Sequence, residues 1–198
     1  MPNLHLWRPA DGNETSAAYS VALQSRNTPS VLCLSRQNLP QLPNSSLPAA
    51  TKGGYVIREV ANSSVTLVAT GSEVSIALEA ALALENVGVG ARVVSLPCWE
   101  VFRQQTPAYQ LSVFPSGQPI LSVEAYSSFG WSFFSHEHVG INGWGDSAPP
   151  SVLYEHFGLT AKNVVTRAKE LIARFANSQP VPQTPVTALA TTKVGGSV

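Results

Sequence analysis

Short runs of mostly apolar residues, separated by segments with helical periodicity, constrain the fold of this chain more than any other feature. The runs are bounded by glycine, proline or polar residues, and they are Ser30–Ser35, Val65–Ala69, Arg92–Leu96 and Pro119–Ala125. A strand that is apolar on both faces is typical of a parallel sheet with helices on each side. The pattern therefore predicts an α/β fold with a mostly parallel sheet in a three-layer arrangement.

The first 45 residues contain one strand–helix–strand pattern. Asn3–Trp7 alternates in the manner of a short strand, and Ser30–Ser35 is predicted to be a strand buried on both faces. Between them lies a segment with helical spacing of alanine and valine, which Asp11 or Asn13 can cap at its N-terminus. We expect residues 1–45 to be a partial βαβ unit.

The rest of the chain divides into a linker, a second unit and a tail. Residues 46–54 combine proline, serine and a Gly-Gly pair without periodicity, which is typical of a linker. Residues 55–176 are expected to form a complete small α/β domain, in which Pro97–Gln118 is mostly irregular apart from one helical turn at Glu100–Arg103. Residues 177–198 have little charge and no helical stripe, and they are expected to be a disordered tail. Within the second unit, helical spacing predicts long helices at Glu73–Leu84 and from Thr160 to about Ala176.

The balance of charge excludes some kinds of partner. The chain has 12 Lys+Arg and 12 Asp+Glu residues, so it has no long-range basic field that would attract nucleic acid or an anionic membrane. The charged fraction is 12%, against roughly 25% in typical soluble domains. This low fraction indicates that a partner covers part of the surface.

Membrane spans and cysteine-based sites are also not expected. No apolar stretch reaches the roughly 18 residues that a spanning helix needs, and the N-terminus lacks the pattern of a secretory signal. The cytosol is therefore the expected location. Cys33 and Cys98 lie far apart and indicate neither a disulfide framework nor a zinc site.

Two glycine-containing turns are candidate phosphate sites, and both have simpler structural explanations. Thr70-Gly71 follows a strand and opens a helix, where free amides and the helix dipole can hold a phosphate. Glu73 in the first turn of that helix opposes an anion, which favours a structural turn. Gly88 and Gly90 precede a strand instead of opening a helix, so they indicate a helix end and not a dinucleotide site.

The histidines offer no clear catalytic or metal site. On a strand, His136 and His138 would share one face and could share a metal, but no third ligand is evident. Solvated loop histidines are the favoured alternative. His5 and His156 are isolated from any serine, cysteine or paired carboxylate in the sequence, which favours a packing or surface role over that of a catalytic base.

Two charged residues follow predicted strands at their carboxyl ends, where the active groups of open α/β sheets gather. Glu124 ends the strand Pro119–Ala125 and is either a catalytic carboxylate or a hydrogen-bonded structural acid. Arg36 directly follows the strand Ser30–Ser35. Its guanidinium could bind a phosphate or carboxylate, or it could form a structural salt bridge.

Five stretches of the sequence together resemble the transketolase family. They are WRPADGNE at 7–14, SRQNLPQL at 35–42, KGGYV at 52–56, LVATGSEV at 67–74 and ARVVSLP at 91–97. A weaker match near residues 146–158 extends the resemblance over about residues 2–176. The combination is highly specific for this family.

The resemblance implies that the chain corresponds to the last portion of a transketolase. Residues 1–45 resemble the end of the pyrimidine-binding domain, and residues 55–176 resemble the C-terminal domain, which in the family is chiefly structural and contributes to dimer contacts. The diphosphate-binding domain of the family has no counterpart here. The glutamate that activates the cofactor belongs upstream of the resembling segments, so no catalytic, cofactor-binding or metal-binding residue is assigned.

Transketolases transfer a two-carbon ketol unit between sugar phosphates in the pentose phosphate pathway, with thiamine diphosphate and a divalent metal, magnesium or calcium, as cofactors. By the resemblance, Arg36 in the SRQ motif matches the arginine that binds the substrate phosphate. We expect this chain alone to bind no cofactor and to be inactive. The expected partner is a second copy in a homodimer or a complementary transketolase chain. A non-catalytic assembly module and a part of a dihydroxyacetone synthase-like enzyme are the alternatives.

Overall fold

The computed structural model describes residues 2–176 and 181–191. Within these ranges the chain forms a two-stranded and a five-stranded sheet, and no helix is both long and apolar enough to cross a membrane. In chain order the elements are β1 (His5–Trp7), α1 (Gly12–Gln24), β2 (Ser30–Leu32), α2 (Leu47–Ala50), β3 (Tyr55–Arg58), β4 (Val65–Ala69), α3 (Glu73–Glu85), β5 (Ala91–Ser95), α4 (Trp99–Arg103), α5 (Pro107–Val113), β6 (Ile120–Val123), a 3₁₀ helix (Trp131–Phe133), β7 (Glu137–Val139), α6 (Pro150–His156), α7 (Ala161–Ala176) and α8 (Pro185–Thr191).

The first unit consists of β1, α1 and β2. The two strands are parallel, with His5 opposite Ser30, and α1 connects them. The helix begins after Asp11, whose carboxylate accepts a hydrogen bond from the Glu14 amide, as the side chain of an N-cap does. The predicted βαβ unit is confirmed, and Asp11 is the cap.

The second strand of this unit is shorter and more exposed than predicted. β2 ends at Leu32, and Val31 and Leu34 are 45% and 51% exposed. Leu6, which pairs with Val31 across the sheet, is 39% exposed. The prediction that Ser30–Ser35 is buried on both faces is therefore wrong, because in the described chain one face of this two-stranded sheet has no covering layer.

The second unit is built on the five-stranded sheet. Its strand order is β3-β5-β4-β6-β7, and neighbouring strands are parallel except for β3 and β5. The chain runs from β4 to β5 on one side and then returns to the other side of β4 to form β6. Where the chain changes direction across a sheet in this way, the carboxyl ends of the two neighbouring strands form a crevice. The predicted mostly parallel sheet is confirmed.

Helices cover both faces of this sheet. Leu67 of β4 packs in a cluster that includes Ala77 of α3 and Leu171 of α7. The next residue, Val68, packs on the opposite face in a second cluster that includes Phe102, Phe114 and Trp131, which is called the aromatic cluster below. The predicted three-layer arrangement is confirmed, and α3 and α7 begin and end within one or two residues of their predicted positions.

Several short helices differ from the sequence-based expectations. In Pro97–Gln118, the helical turn expected at Glu100–Arg103 is present as α4, but α5 was not expected, and the linker at 46–54 contains α2. Thr106 caps α5, whose first residue is Pro107, and α6 likewise starts at Pro150. Because the first amides of a helix have no intrahelical partner, proline fits there without losing a hydrogen bond. These prolines mark the starts of helices.

The expectation of a disordered tail is wrong for residues 181–191. Residues Pro185–Thr191 form α8, which packs against α5. Val181 and Val186 are 3% and 2% exposed, and Val186 joins the aromatic cluster. A helix this short, with so few side chains in the core, leaves no stripe in the sequence. Residues 177–180 and 192–198, to which the same expectation applied, lie outside the described residues.

Candidate functional site

Arg36 lies in the irregular segment that follows β2. The residue is exposed, and its guanidinium has no hydrogen-bond or ion-pair partner among the described residues. A cavity of about 600 Å³ lies beside this segment, between it and the second unit. Its lining includes Gln37 and Leu39 on one side and Tyr154 and Lys162 on the other.

The far end of the same segment is attached to α1 through Asp11. One carboxylate oxygen, Oδ2, accepts hydrogen bonds from the Gln41 side-chain amide at 2.6 Å and from the Leu42 backbone amide at 3.1 Å. The other oxygen, Oδ1, accepts from the Glu14 amide at 3.0 Å and caps the helix. The Asp11 side chain therefore connects the first motif of the sequence, WRPADGNE, to the second, SRQNLPQL.

Tyr154 of α6 connects the cavity to the start of α3. Its hydroxyl donates to Glu73 Oε1 at 2.9 Å and lies 3.2 Å from the Ser72 hydroxyl. Burial raises the pKa of Tyr154 and the Glu73 carboxylate raises it further, whereas side-chain hydrogen bonds from Ser72 and Gln37 lower it. Gln37 of the Arg36 segment and Tyr154 of the second unit line the same cavity.

Glu124 lies in the crevice at the carboxyl ends of β4 and β6, where it forms an ion pair with Arg8. Arg8 follows β1 and also donates to Thr70 Oγ1 at 2.9 Å and to Glu73 Oε2 at 3.1 Å. Its guanidinium lies 4.7 Å from the centre of the Tyr126 ring. Glu73 and Glu124 are 0% and 3% exposed. One guanidinium therefore compensates two buried carboxylates, one at the start of α3 and one directly after β6.

This arrangement favours the structural interpretation of both Glu124 and the turn before α3. The ion pairs with Arg8 account for the burial of both carboxylates without a bound substrate. Gly71 has a φ of +56°, and a Cβ at this position would lie 3.1 Å from Arg8 Nη2. The Arg8 and Glu73 side chains thus occupy the helix start where a phosphate could bind. Sequence reasoning did not identify Arg8, because its partners are distant in the chain.

A smaller cavity of about 210 Å³ lies beside the Arg8 cluster. Its lining includes Trp99, Trp131 and Leu6, together with Glu100, whose Oε2 accepts from the Leu6 amide at 3.2 Å. The Arg8 guanidinium at its edge is already compensated by carboxylates. The cavity therefore offers no free cationic group to a phosphate.

Another buried carboxylate, Glu14 of α1, joins the two units. It accepts hydrogen bonds from the Ala10 amide at 2.7 Å, the Tyr55 hydroxyl at 2.8 Å and the Ser95 hydroxyl at 2.6 Å. Burial raises the pKa of Glu14, the three hydrogen bonds lower it, and the charge of Asp11 adds to the increase. Because the two hydroxyls belong to β3 and β5, this contact fixes α1 on the second sheet.

The histidines of the β7 region are hydrogen-bonded to other groups of the protein. His138 lies on β7, and its Nδ1 is 2.8 Å from the hydroxyl of Ser122, which is fully buried. Burial lowers the pKa of His138. His136 accepts from the Ile120 amide at 2.9 Å through Nδ1, so its Nε2 donates to the Pro182 carbonyl oxygen at 2.7 Å. The expectation of solvated loop histidines is wrong, because both rings have partners in the protein.

The remaining histidines and cysteines also do not converge on a site. His5 is 6% exposed and its Nδ1 has no hydrogen-bond partner in the described ranges, whereas His156 is exposed at the end of α6. Cys33 and Cys98 are free thiols. Among the residues with described positions, no group of three or more His, Cys, Asp or Glu side chains could hold a metal ion.

Sequence comparisons relate both units to known proteins. The family model "Transketolase-like TK C-terminal domain" matches residues 53–160, and the model "Transketolase, pyrimidine binding domain" matches residues 1–41. A probable transketolase of Schizosaccharomyces pombe is 53% identical over 176 residues, which are 88% of this chain and 26% of that protein. Transketolase 1 of Saccharomyces cerevisiae is 49% identical over 175 residues, again 88% of this chain and 26% of that protein.

Solved structures agree with these matches. Transketolase from Pichia stipitis, in a complex with sedoheptulose 7-phosphate, has a TM-score of 0.90 and 47% identity, covering 93% of this chain and 27% of that one. Transketolase from Leishmania mexicana has a TM-score of 0.89 and 48% identity, with the same two coverages. A split-gene transketolase, described as an inactive beta4 tetramer, has a TM-score of 0.71 and 26% identity, covering 87% of this chain and 59% of that one.

The chain therefore spans about a quarter of the length of the curated relatives that it matches. The pyrimidine-domain match falls on the βαβ unit, and the C-terminal-domain match falls on the five-stranded sheet and on α3 to α6. The second match alone covers more than half of the residues. As the sequence motifs predict, this chain belongs to the transketolase family.

Proposed function

We propose that this chain acts as the C-terminal part of a transketolase, which transfers a two-carbon ketol unit between sugar phosphates in the pentose phosphate pathway. The main support is the TM-score of 0.90 with the Pichia stipitis enzyme, whose structure is described as a sugar-phosphate complex. Because the chain spans about a quarter of its relatives, the activity requires the segments that it does not contain. The chain alone is inactive, and its compartment is the cytoplasm.

In this proposal, Arg36 binds the phosphate group of the sugar substrate. Its guanidinium is exposed and has no partner in the described part of the chain, so binding a phosphate breaks no existing ion pair. A planar guanidinium can donate two parallel hydrogen bonds to one phosphate. Arg8 is unsuitable for this role because Glu73 and Glu124 already occupy its donors. Lys162 at the adjacent cavity adds positive charge.

The cofactor site of the intact enzyme belongs to the complementary segments. Thiamine diphosphate and a divalent metal, magnesium or calcium, are the family's cofactors. In the described ranges, no cluster of His, Cys, Asp and Glu side chains could hold a metal ion. The described residues therefore do not fit the metal that accompanies the diphosphate, and we assign that metal to the diphosphate-binding domain.

The partner that completes the enzyme is a complementary transketolase chain or a second copy in a homodimer. Leu6 and Val31 are 39% and 45% exposed on the two-stranded sheet, and Tyr19 and Leu23 are 53% and 83% exposed on α1. Leu6 and Val31 are neighbours in the sheet, and adjacent exposed apolar side chains are typical of a surface that another segment covers. The likeness to a split-gene transketolase supports completion by a separate chain.

Reconstitution tests the proposal. The 198-residue chain is mixed with a separately expressed N-terminal portion of the Schizosaccharomyces pombe relative, thiamine diphosphate and magnesium. Ketol transfer from xylulose 5-phosphate to an aldose phosphate is then measured. We expect activity in the mixture and none in either part. A stable complex without activity would contradict the proposal, and so would turnover by the chain alone.

Substrate selectivity tests the role of Arg36 within the same mixture. Replacing Arg36 by Ala removes a charge-assisted contact to the phosphate, so the KM for phosphorylated substrates should rise about tenfold or more. Reactions of substrates without a phosphate, such as hydroxypyruvate with glycolaldehyde, should not change. The control Arg103→Ala removes a guanidinium that lies over the Phe133 ring and should affect neither class. An equal loss for both classes would argue against phosphate binding by Arg36.

A non-catalytic assembly module is the alternative function. The exposed apolar side chains of β1, α1 and β2 favour binding to another protein, whether or not the complex is catalytic. In that case the chain would bind the complementary part without restoring ketol transfer. Light scattering of the mixture, combined with the activity measurement, separates this outcome from the proposed one.

A further inference from the structure

Arg36 lies in a segment with few backbone contacts. From Leu34 to Gln41, no backbone group forms a hydrogen bond with another backbone group of the described chain. Just before the segment, the Cys33 amide donates to the Trp7 carbonyl oxygen at 2.8 Å, which is the last contact of β2 with β1. The course of the segment beyond this point therefore depends on side-chain contacts.

The far end of the segment is held by the carboxylate of Asp11, which is 6% exposed. Oδ2 binds the Gln41 side chain at 2.6 Å and the Leu42 amide at 3.1 Å. The other oxygen, Oδ1, accepts a hydrogen bond from the Glu14 amide and caps α1. Hydrogen bonds to a charged, buried carboxylate are stronger than those between neutral groups. One oxygen therefore stabilises the helix, and the other fixes the segment.

We propose that Asp11 is a positioning residue for Arg36. The inference rests on the proposed phosphate role of Arg36 and adds the group that holds its segment in place. With one end fixed by β2 and the other by Asp11, the segment has fewer conformations before substrate binds. Less conformational entropy is then lost when the guanidinium binds a phosphate.

The variant Asp11→Ser separates the two tasks of this side chain. Serine also caps helices, but its single, shorter hydroxyl removes the shared acceptor of Gln41 and Leu42. Trypsin cleaves after Arg36 and after Arg26, and both residues are exposed, so one digestion compares this segment with the loop between α1 and β2. In the 198-residue chain, cleavage after Arg36 should accelerate about tenfold and cleavage after Arg26 should not change.

Two further variants complete the digestion experiment. Gln41→Ala removes one of the two bonds to Asp11 Oδ2 and should give an intermediate acceleration after Arg36. Ser16→Ala, on the exposed side of α1, is the control and should change neither site. An unchanged rate after Arg36 in Asp11→Ser would overturn the inference. An equal increase at both sites would also overturn it, because this would show a general loss of stability.

Kinetics in the reconstituted enzyme give a readout that a purely structural role would not change. We expect Asp11→Ser to raise the KM for phosphorylated substrates about threefold, with kcat and the reactions of unphosphorylated substrates unaffected. If Arg36→Ala raises the KM but Asp11→Ser leaves it unchanged, the positioning role of Asp11 is overturned. If Arg36→Ala itself leaves KM unchanged, the proposed phosphate role fails. The digestion then still decides whether Asp11 holds the segment.

Discussion

The Tyr55 phenol oxygen lies 2.8 Å from Glu14 Oε1, and this hydrogen bond joins β3 of the second unit to α1 of the first. Both residues are buried, at 3% and 0% exposure. Glu14 also accepts from Ala10 in its own unit and from Ser95 in the other. Separating the units would leave the acid without two of its partners, so the contact couples the two units energetically.

Replacing Tyr55 by Phe tests this coupling. The substitution keeps the ring and removes one donor to a buried carboxylate, so the free energy of unfolding should fall by about 1–3 kcal/mol. Urea denaturation of the 198-residue chain measures the change. Tyr19→Phe is the matched control, because Tyr19 is 53% exposed, and it should leave the stability unchanged. A similar stability for both variants would show that the contact does not couple the units.

The ionisation of Glu14 should make the free energy of unfolding depend on pH. Burial raises its folded-state pKa above the ordinary value of 4.5. A raised folded-state pKa means that the stabilisation contributed by Glu14 is complete below pH 4.5 and is lost as the pH rises through the folded pKa. The advantage of the wild-type chain over Glu14→Gln should therefore shrink as the pH rises above 4.5.

The glutamine variant is a suitable reference for this measurement. Its carbonyl oxygen can still accept from the Ala10 amide, and its NH₂ group can donate to the Tyr55 and Ser95 hydroxyls once these rotate. Glu79→Gln, at an exposed position of α3, is the control and should differ little from the wild type across the range. An advantage of the wild type over Glu14→Gln that grows with pH would contradict the assigned direction of the shift.

Periodicity made the long elements of this fold predictable. The α3 and α7 helices carry enough apolar side chains at helical spacing to be located from sequence, and β4 is apolar along its whole length. Two short elements, β7 and α8, were missed because their stability comes from distant contacts. β7 is three residues long and depends on pairing with β6, and α8 depends on the aromatic cluster.

The candidate site was predictable only where a family motif carried it. Arg36 was identified through the SRQ motif, and nothing in the local pattern separates it from other exposed arginines. Arg8 and Glu14 also belong to a motif, but their roles come from partners more than 40 residues away, such as Tyr55 and Glu73. Local sequence patterns do not contain that information.

Arg8 should be the most sensitive charged position for stability. Replacing it by Leu leaves the carboxylates of Glu73 and Glu124 buried without a counter-charge, which should reduce the free energy of unfolding by about 3–5 kcal/mol. The exposed Arg36 provides the matched control, because Arg36→Leu should change stability by less than about 0.5 kcal/mol. Adding Glu124→Gln to Arg8→Leu should recover part of the loss. A double variant as unstable as the sum of its parts would show that the pair is not coupled.

The packing of α8 can be tested at Val186. This side chain is 2% exposed and contacts the aromatic cluster, so Val186→Ala removes two buried methyl groups, worth about 1–2 kcal/mol of local stability. Amides of α8 should then exchange with deuterium roughly tenfold faster, as measured by mass spectrometry. Val152→Ala on α6, where the side chain is 55% exposed, is the control. Equal exchange in α8 for both variants would mean that Val186 does not anchor the helix.

The two free cysteines should differ sharply in reactivity. Burial raises the pKa of the Cys98 thiol to about 12, with a further contribution from the Glu100 carboxylate, and its side chain is fully buried. Because the thiolate is the reactive form, iodoacetamide at about pH 8 should modify the half-buried Cys33 and leave Cys98 unmodified. Mass spectrometry of the native chain measures this, and Cys33→Ser should then remain unlabelled. Denaturation in guanidinium chloride should make both thiols equally reactive. Labelling of Cys98 at the rate of Cys33 in the native chain would show that the strand-end loop carrying Cys98 opens readily.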